Sequence, residues 1–147
     1  MSVTTLSKSI FLTATPETVW RFLTEKEKLG QWFHPSKEDL TEGREYELLE
    51  TGDDGISKTV CWGTVVSMDE PNSMQWTFTV TPLGGAMTTV HWKLEAMTGG
   101  TRLTLTHEGV SEAAGESALG LLIALDKGWD EHFMSMRSVV SALNAKQ

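Results

Sequence analysis

Apolar and polar residues alternate through the middle of the chain, which is the pattern of half-buried β-strands. The alternation is clearest from Met74 to Val80 and from Thr89 to Glu95. Similar segments run from Leu6 to Leu12, from Arg44 to Leu49, from Ser57 to Met68 and from Thr101 to His107. Because tight turns separate these evenly spaced segments, the sequence predicts an antiparallel meander.

The turns contain the residues that tolerate sharp changes of backbone direction. They are predicted at Thr51–Gly55, Asp69–Asn72, Pro82–Gly85 and Gly99–Gly100. The inward and outward positions are ambiguous around Gly63, where we expect a β-bulge.

Two short helices are predicted between the first and second strands. Thr15 is a favourable N-cap and Pro16 a favourable first residue for one helix. Thr24 and Glu27 have the spacing of a capping box, which predicts the start of another. Pro35 should end that helix, because the residue before a proline avoids the α conformation.

The spacing of apolar residues changes in the last third of the chain, where they recur every three or four positions. They are Leu122, Leu125, Trp129, Phe133, Met136, Val140 and Leu143. A long helix with one apolar stripe and a sheet with one apolar face bury each other. The sequence therefore predicts a single α+β domain over residues 1–147, a usual domain size.

Charge and cysteine content narrow the partners and the compartment. The chain has 20 acidic and 12 basic residues, for a formal charge of −8, which argues against nucleic acid and anionic membranes as partners. No apolar run approaches the roughly 20 residues of a membrane span, and the first residues lack the pattern of a secretory signal. A single cysteine, Cys61, excludes an intramolecular disulfide and fits a reducing compartment. We expect a soluble, cytoplasmic protein in which Cys61 is a small buried apolar residue.

Several short motifs resemble those of one known superfamily. They are Ala14–Trp20, Leu29–Phe33, Asp39–Gly43, Gly63–Val65 with Glu70–Pro71, Gly100–His107 and Gly128–Trp129. Their order resembles the START-like, birch-pollen-allergen-like superfamily. The most similar family is the one named after the activator of the heat shock protein 90 ATPase, in its bacterial single-domain form. The resemblance implies a helix-grip fold, in which a curved antiparallel sheet wraps a long C-terminal helix and two short helices follow the first strand.

The same resemblance implies a function class. Most members of the superfamily bind an apolar small molecule between sheet and helix, and a few branches have cyclase or hydrolase activity there. The eukaryotic chaperone activator uses an additional N-terminal domain without a counterpart in this sequence, so chaperone activation is not our main expectation.

Aromatic residues are the candidate lining of such a cavity, because six tryptophans in 147 residues is a high number. The competing interpretation is that they simply fill the core. The predicted ligand-binding residues are Trp32, Phe33, Trp62, Trp76, Phe78, Trp92, His107, Trp129 and Phe133.

The four histidines are expected to differ in position. His107 follows apolar inward positions and is either a satisfied buried or rim histidine or one that anchors the polar end of a ligand or acts as an acid or base. His34 precedes a proline at a helix end, where lining a cavity mouth is one possibility, whereas His91 and His132 are expected to be exposed.

The leading hypothesis is a non-enzymatic protein that binds an apolar or aromatic small molecule. One alternative is a cyclase-like or hydrolase-like enzyme that uses His107 or Glu108. Another is a protein-interaction module, as a homodimer or a stress-response partner of a chaperone. No catalytic residue, metal ligand or cofactor is predicted, since the sequence lacks a nucleophile elbow and metal-binding His or Cys spacings.

Overall fold

The computed structural model describes residues 5–80, 83, 86–110 and 114–145. The strands in these ranges are β1 (Leu6–Leu12), β2 (Glu45–Thr51), β3 (Ser57–Asp69), β4 (Ser73–Val80), β5 (Thr88–Met97) and β6 (Gly100–Glu108). The helices are α1 (Pro16–Thr24), α2 (Lys26–Trp32) and α3 (Ala118–Ala145), the last preceded by a 3₁₀ turn at Gly115–Ser117. The predicted turn at Pro82, Gly84 and Gly85 lies outside the described residues.

The strands form one antiparallel sheet in the order β1-β6-β5-β4-β3-β2. The five strands from β2 to β6 are neighbours in sequence as well as in space, and β1 joins the sheet beside β6 with Leu6 opposite His107. The long helix α3 packs against α2 and β1. This is the α+β helix-grip fold that the motifs predicted, with a curved open sheet around the C-terminal helix.

The start of α1 is as predicted, but the start of α2 is not. The side chain of Thr15 accepts a hydrogen bond from the backbone N–H of Thr18, and Pro16 begins α1. The predicted capping box at Thr24 is wrong. Its hydroxyl donates back to the carbonyl of Trp20 at 3.0 Å, and the side chain of Asp39 instead caps the N–H of Lys26 at 2.9 Å. A loop carboxylate distant in sequence thus replaces the local cap.

The irregularities of β3 lie on either side of Gly63 and not at it. The register shifts between Leu48 and Leu49, where Val60 is the extra residue, and again at Val66. Gly63 is needed for another reason, because a Cβ at this position would overlap the backbone carbonyl of Thr77. β3 therefore has two bulges, neither of them at Gly63, and the glycine instead allows β3 and β4 to approach closely.

The core lies between the inner face of the sheet and the middle of α3. The helix buries four side chains spaced three or four residues apart, namely Trp129, Phe133, Met136 and Val140. They belong to one cluster with the inward residues of β5 and β6. The predicted stripe is longer than the buried one, because Leu122 and Leu125 are half-buried and Leu143 is exposed.

Lys8 joins the edge strand β1 to α3. Its ammonium lies 2.9 Å from a carboxylate oxygen of Asp126 and 2.8 Å from one of Asp130, and its side chain is only 15% exposed. Burial lowers the pKa of Lys8, but the hydrogen bonds to Asp130 and Asp126 outweigh it, so the pKa lies above the ordinary value. This pair of contacts explains why a lysine occupies the apolar face of β1.

We expect Lys8→Met to lower the free energy of unfolding by about 0.5–1 kcal/mol, because both carboxylates stay hydrated when the ammonium is lost. Urea unfolding at low and high salt measures the change, and 1 M salt should shrink it. Lys127→Met is the matched control. Lys127 pairs with Glu131 on α3, the helix that also carries the partners of Lys8, but this ion pair is exposed. Equal losses in both variants would contradict a specific role for Lys8.

Candidate functional site

Aromatic rings fill most of the seam between the sheet and α3. The indole of Trp92 lies at the centre, with ring centroids 5.8 Å from Trp129, 6.1 Å from Trp32 and 5.4 Å from Trp76. These separations fall in the range of favourable tilted and edge-to-face contacts. We call the set the aromatic cluster; its members are Trp32, Phe33, Trp76, Phe78, Trp92, Trp129 and Phe133.

Trp62 lies apart from this cluster, although it was predicted with it. Cys61 and Gly63 face inward and are buried, so Trp62 between them faces outward from β3. There it lines a polar surface groove with Glu45 and Glu47. From the sequence alone it was unclear which residues of β3 face inward. The two bulges determine that Trp62 faces outward.

His107 lies at the inner end of a chain of hydrogen bonds. The indole N–H of Trp129 donates to its Nδ1 at 3.2 Å, and its Nε2 lies 2.7 Å from the hydroxyl of Thr88. That hydroxyl donates to the carbonyl of Phe78 at 2.6 Å. Since an indole only donates and a carbonyl only accepts, Nε2 carries the hydrogen of a neutral imidazole.

The network leaves His107 no free nitrogen for a ligand or a reaction. Burial lowers its pKa to about 4, so the ring is neutral near pH 7. A second proton on Nδ1 would point at the N–H of Trp129, and this hydrogen bond would be lost because both groups would then be donors. The predicted inward position of His107 is correct, but its contacts are those of a structural link between α3 and the sheet.

We expect acid to weaken the fold through His107. Because its pKa is lower in the folded state, the unfolded chain binds the proton first, and stability falls as the pH drops from about 6.5 towards 4. The difference between the ordinary histidine pKa of 6.5 and the folded-state pKa of about 4 corresponds to a loss of about 3 kcal/mol in the free energy of unfolding.

Urea unfolding of the natural protein and of His107→Gln at pH 7 and pH 4 tests this. The variant should be less stable at pH 7 but should lose about 3 kcal/mol less on acidification. The other histidines and the carboxylates are the same in both proteins and largely cancel in the comparison. Identical pH dependence would show that His107 does not stay neutral in the fold.

A small pocket of about 130 Å³ remains where the aromatic cluster ends. We call it the seam pocket. The sheet contributes Phe78 and Val80, the segment after α2 contributes Phe33, and α3 contributes Leu125 and Trp129. Ala124 and Gly128 of α3 also line it, and their small size leaves the space. Most of its walls are apolar, as in typical ligand sites.

The polar side chains of the seam pocket are those of His34, Cys61 and His132. The two imidazole centroids are 5.5 Å apart, and both rings contact Phe33. Burial raises the pKa of the Cys61 thiol to about 12, with a smaller effect of Glu50, so the thiol is protonated. His132 is half-buried and not exposed as predicted, because it lies one helical turn from Trp129 and turns towards α2.

Both imidazoles have lowered pKa values. Burial is the main cause for His34, and the charge of Glu50 opposes it. For His132 burial again comes first, followed by the proximity of His34. Nδ1 of His132 lies 3.2 Å from the carbonyl of Trp32, one of the last carbonyls of α2. From the sequence, a cavity mouth was one possible position for His34, whereas His132 was expected to be exposed.

Two buried donors inside the aromatic cluster have no hydrogen-bond partner among the described groups. They are the indole N–H groups of Trp76 and Trp92. By contrast, Trp32 donates to the carbonyl of Phe22 at 2.7 Å, and Trp129 donates to His107. Buried N–H groups are usually paired, so these two mark positions where a hydrogen-bond acceptor would be favourable.

Among the residues that the structure describes, no group of three or more His, Cys, Asp or Glu side chains could hold a metal ion. No helix within those residues is long and apolar enough to cross a membrane.

The fold and the seam define a START-like protein of the helix-grip class. The chain belongs to the family described as activator of Hsp90 ATPase homolog 1-like protein, whose model matches residues 13–141. The predicted resemblance is thereby confirmed. A comparison with curated proteins gives no significant match.

Solved structures share the fold at low sequence identity. A protein from Arthrobacter aurescens has a TM-score of 0.78 and 19% identity, with 94% of this chain and 86% of that chain covered. A protein from Rhodobacter sphaeroides has a TM-score of 0.74 and 22% identity, with coverages of 97% and 95%. CalU16 from Micromonospora echinospora has a TM-score of 0.73 and 20% identity, with coverages of 97% and 79%. At these identities the likeness extends to the fold alone.

Proposed function

We propose that this protein is a non-enzymatic binding protein that holds a small apolar or aromatic molecule between the sheet and α3. The observation that carries the proposal is the seam pocket, whose apolar walls come from both layers of the fold. Its volume of about 130 Å³ is smaller than that of typical drug-sized sites, which begin at about 300 Å³. An apolar cavity of about 150 Å³ in another protein binds benzene, so the seam pocket matches a ligand with one ring.

The unpaired indole N–H groups support a larger ligand as well. A molecule that displaced part of the aromatic cluster would reach Trp76 and Trp92, and a carbonyl or ether oxygen on it would pair with their donors. A structural neighbour, DynU16, is a protein in the dynemicin biosynthetic locus. Its place in that locus is a reason to test small molecules as ligands of this chain.

Gly128 provides a test, because a Cβ there would meet no atom within 4 Å. We expect Gly128→Leu to leave the protein folded, since replacing glycine inside a helix stabilises it by about 0.5–1 kcal/mol. The leucine side chain should occupy the seam pocket and abolish binding of single-ring aromatics. Tryptophan fluorescence and ligand-observed NMR, with toluene and ethylbenzene as probes, measure the affinity.

Gly120→Leu is the matched control for this experiment. Gly120 lies on the same helix, its Cβ position is equally open, and it is not among the residues that line the seam pocket. It should gain similar helix stability and bind the probes as the natural protein does. Binding that survives in Gly128→Leu, or that is lost in both variants, would contradict the proposed site.

The contacts of its candidate residues argue against the enzyme alternative. Both nitrogens of His107 are engaged in the network with Trp129 and Thr88. Glu108 is exposed and lies 3.3 Å from Nε2 of His91, outside the seam. Neither residue has a free polar atom directed at a pocket, and we propose no catalytic role for them.

An interaction role has one observation in its favour. Leu119 and Ile123, one turn apart on α3, are 70% and 62% exposed. Large exposed apolar side chains in one patch are typical of association surfaces. If this face forms a homodimer, sedimentation equilibrium should show a dimer that Ile123→Ser dissociates. A monomer for the natural protein at 100-fold varied concentration would exclude it.

A further inference from the structure

The polar chemistry of the seam pocket restricts what it can bind. No lysine or arginine is among the described residues that line it. The charged groups that act on its imidazoles are Glu50 on β2 and Glu131 beside His132, both negative. An anionic group in the pocket would therefore meet neutral rings and nearby carboxylates, and no cation would compensate for its desolvation.

The hydrogen bond of His132 fixes which of its nitrogens is available. The carbonyl of Trp32 can only accept, so Nδ1 of His132 carries the hydrogen that joins them. In the neutral ring, Nε2 then has a lone pair and accepts. None of the described residues donates to Nε2 of His132. Its lone pair is therefore available to a ligand in the pocket that His132 lines.

We propose that the seam pocket selects small neutral aromatic alcohols, that is single-ring phenols, whose hydroxyl donates to Nε2 of His132. The ring of the ligand lies against Phe33, Phe78 and Trp129, and one ring is what the pocket volume accommodates. This inference rests on the proposed function and adds the class of ligand to it.

His34 completes the recognition of the hydroxyl group. Its ring is 5.5 Å from that of His132, and none of the described side chains hydrogen-bonds to it. It is therefore free to adopt the tautomer that donates to the phenol oxygen. A hydroxyl group both donates and accepts, so it can pair with the acceptor Nε2 of His132 and with the donor of His34. A carboxylate has no hydrogen to donate, and its lone pairs would face the lone pair of Nε2.

A set of four fluorinated probes tests the proposal on the intact protein with one readout, ¹⁹F NMR. The probes are 4-fluorophenol, 4-fluorotoluene, 4-fluoroanisole and 4-fluorobenzoate. Fluorophenol should bind about tenfold more tightly than fluoroanisole, which is the size expected for the one buried hydrogen bond that only the phenol donates, and at least tenfold more tightly than fluorotoluene. Fluorobenzoate should bind most weakly.

His132→Phe keeps a ring at the pocket but removes the acceptor. It should reduce the preference for fluorophenol over fluoroanisole to about one, since both oxygens can still accept from His34, while the affinity for fluorotoluene stays within about twofold. Retained fluorotoluene binding shows that the pocket is intact in this variant. His91→Phe is the control, because His91 lies outside the pocket, and it should keep the preference of the natural protein.

The outcomes separate this inference from the proposed function. Equal affinity for fluorophenol and fluorotoluene in the natural protein would overturn the phenol preference and leave an apolar binding site. Tightest binding of fluorobenzoate would replace it with an anion site. A preference for fluorophenol over fluoroanisole that persists in His132→Phe would exclude His132 as the acceptor. No binding of any probe would overturn the proposed function, and the inference with it.

Discussion

The hydrogen bond from Trp129 to His107 is the contact on which the position of α3 depends. Apolar packing between an amphipathic helix and a sheet has no preferred direction, so by itself it tolerates small rotations and shifts of the helix. The bond between Nε1 of Trp129 and Nδ1 of His107 is directional, and both side chains are buried. Breaking it would leave a donor and an acceptor unpaired in the core, at a cost of about 1–3 kcal/mol each. The link continues through Thr88 to the carbonyl of Phe78, so one chain of contacts joins α3 to β6, β5 and β4.

The seam pocket follows from this fixed position. With Trp129 held against the sheet, the next turn towards the start of α3 presents Ala124, Leu125 and Gly128 to the ends of β3 and β4. Two of these residues are too small to reach the opposite wall. A Cβ at Gly128 would meet no atom within 4 Å, and replacing the glycine would stabilise the helix, so packing does not require glycine there. The fold therefore keeps a small apolar space beside a densely packed cluster, with His34 and His132 as its polar groups.

The histidines illustrate how far the sequence could be interpreted. Alternation along β6 correctly placed His107 on the inner face, yet it could not show that Trp129 and Thr88 occupy both nitrogens. His132 was expected to be exposed because Glu131 precedes it, but the carbonyl that holds it belongs to Trp32, 100 residues earlier. Trp62 was grouped with the cavity because the parity of β3 was ambiguous, and the extra residues at Val60 and Val66 turn it outward. In each case the deciding contact comes from a residue distant in sequence or from a local irregularity without a periodic signal.

The sequence by itself determined the order of strands and helices, the antiparallel meander, the long apolar stripe of the last helix and the helix-grip class. These properties depend on residue spacing within each element and on short motifs, which a linear chain contains. Only the tertiary structure decided that the seam is mostly filled, that a single-ring pocket remains beside Gly128, and which nitrogen of each buried imidazole is free. Those properties depend on distances of a few ångströms between elements, and no pattern along one element contains that information.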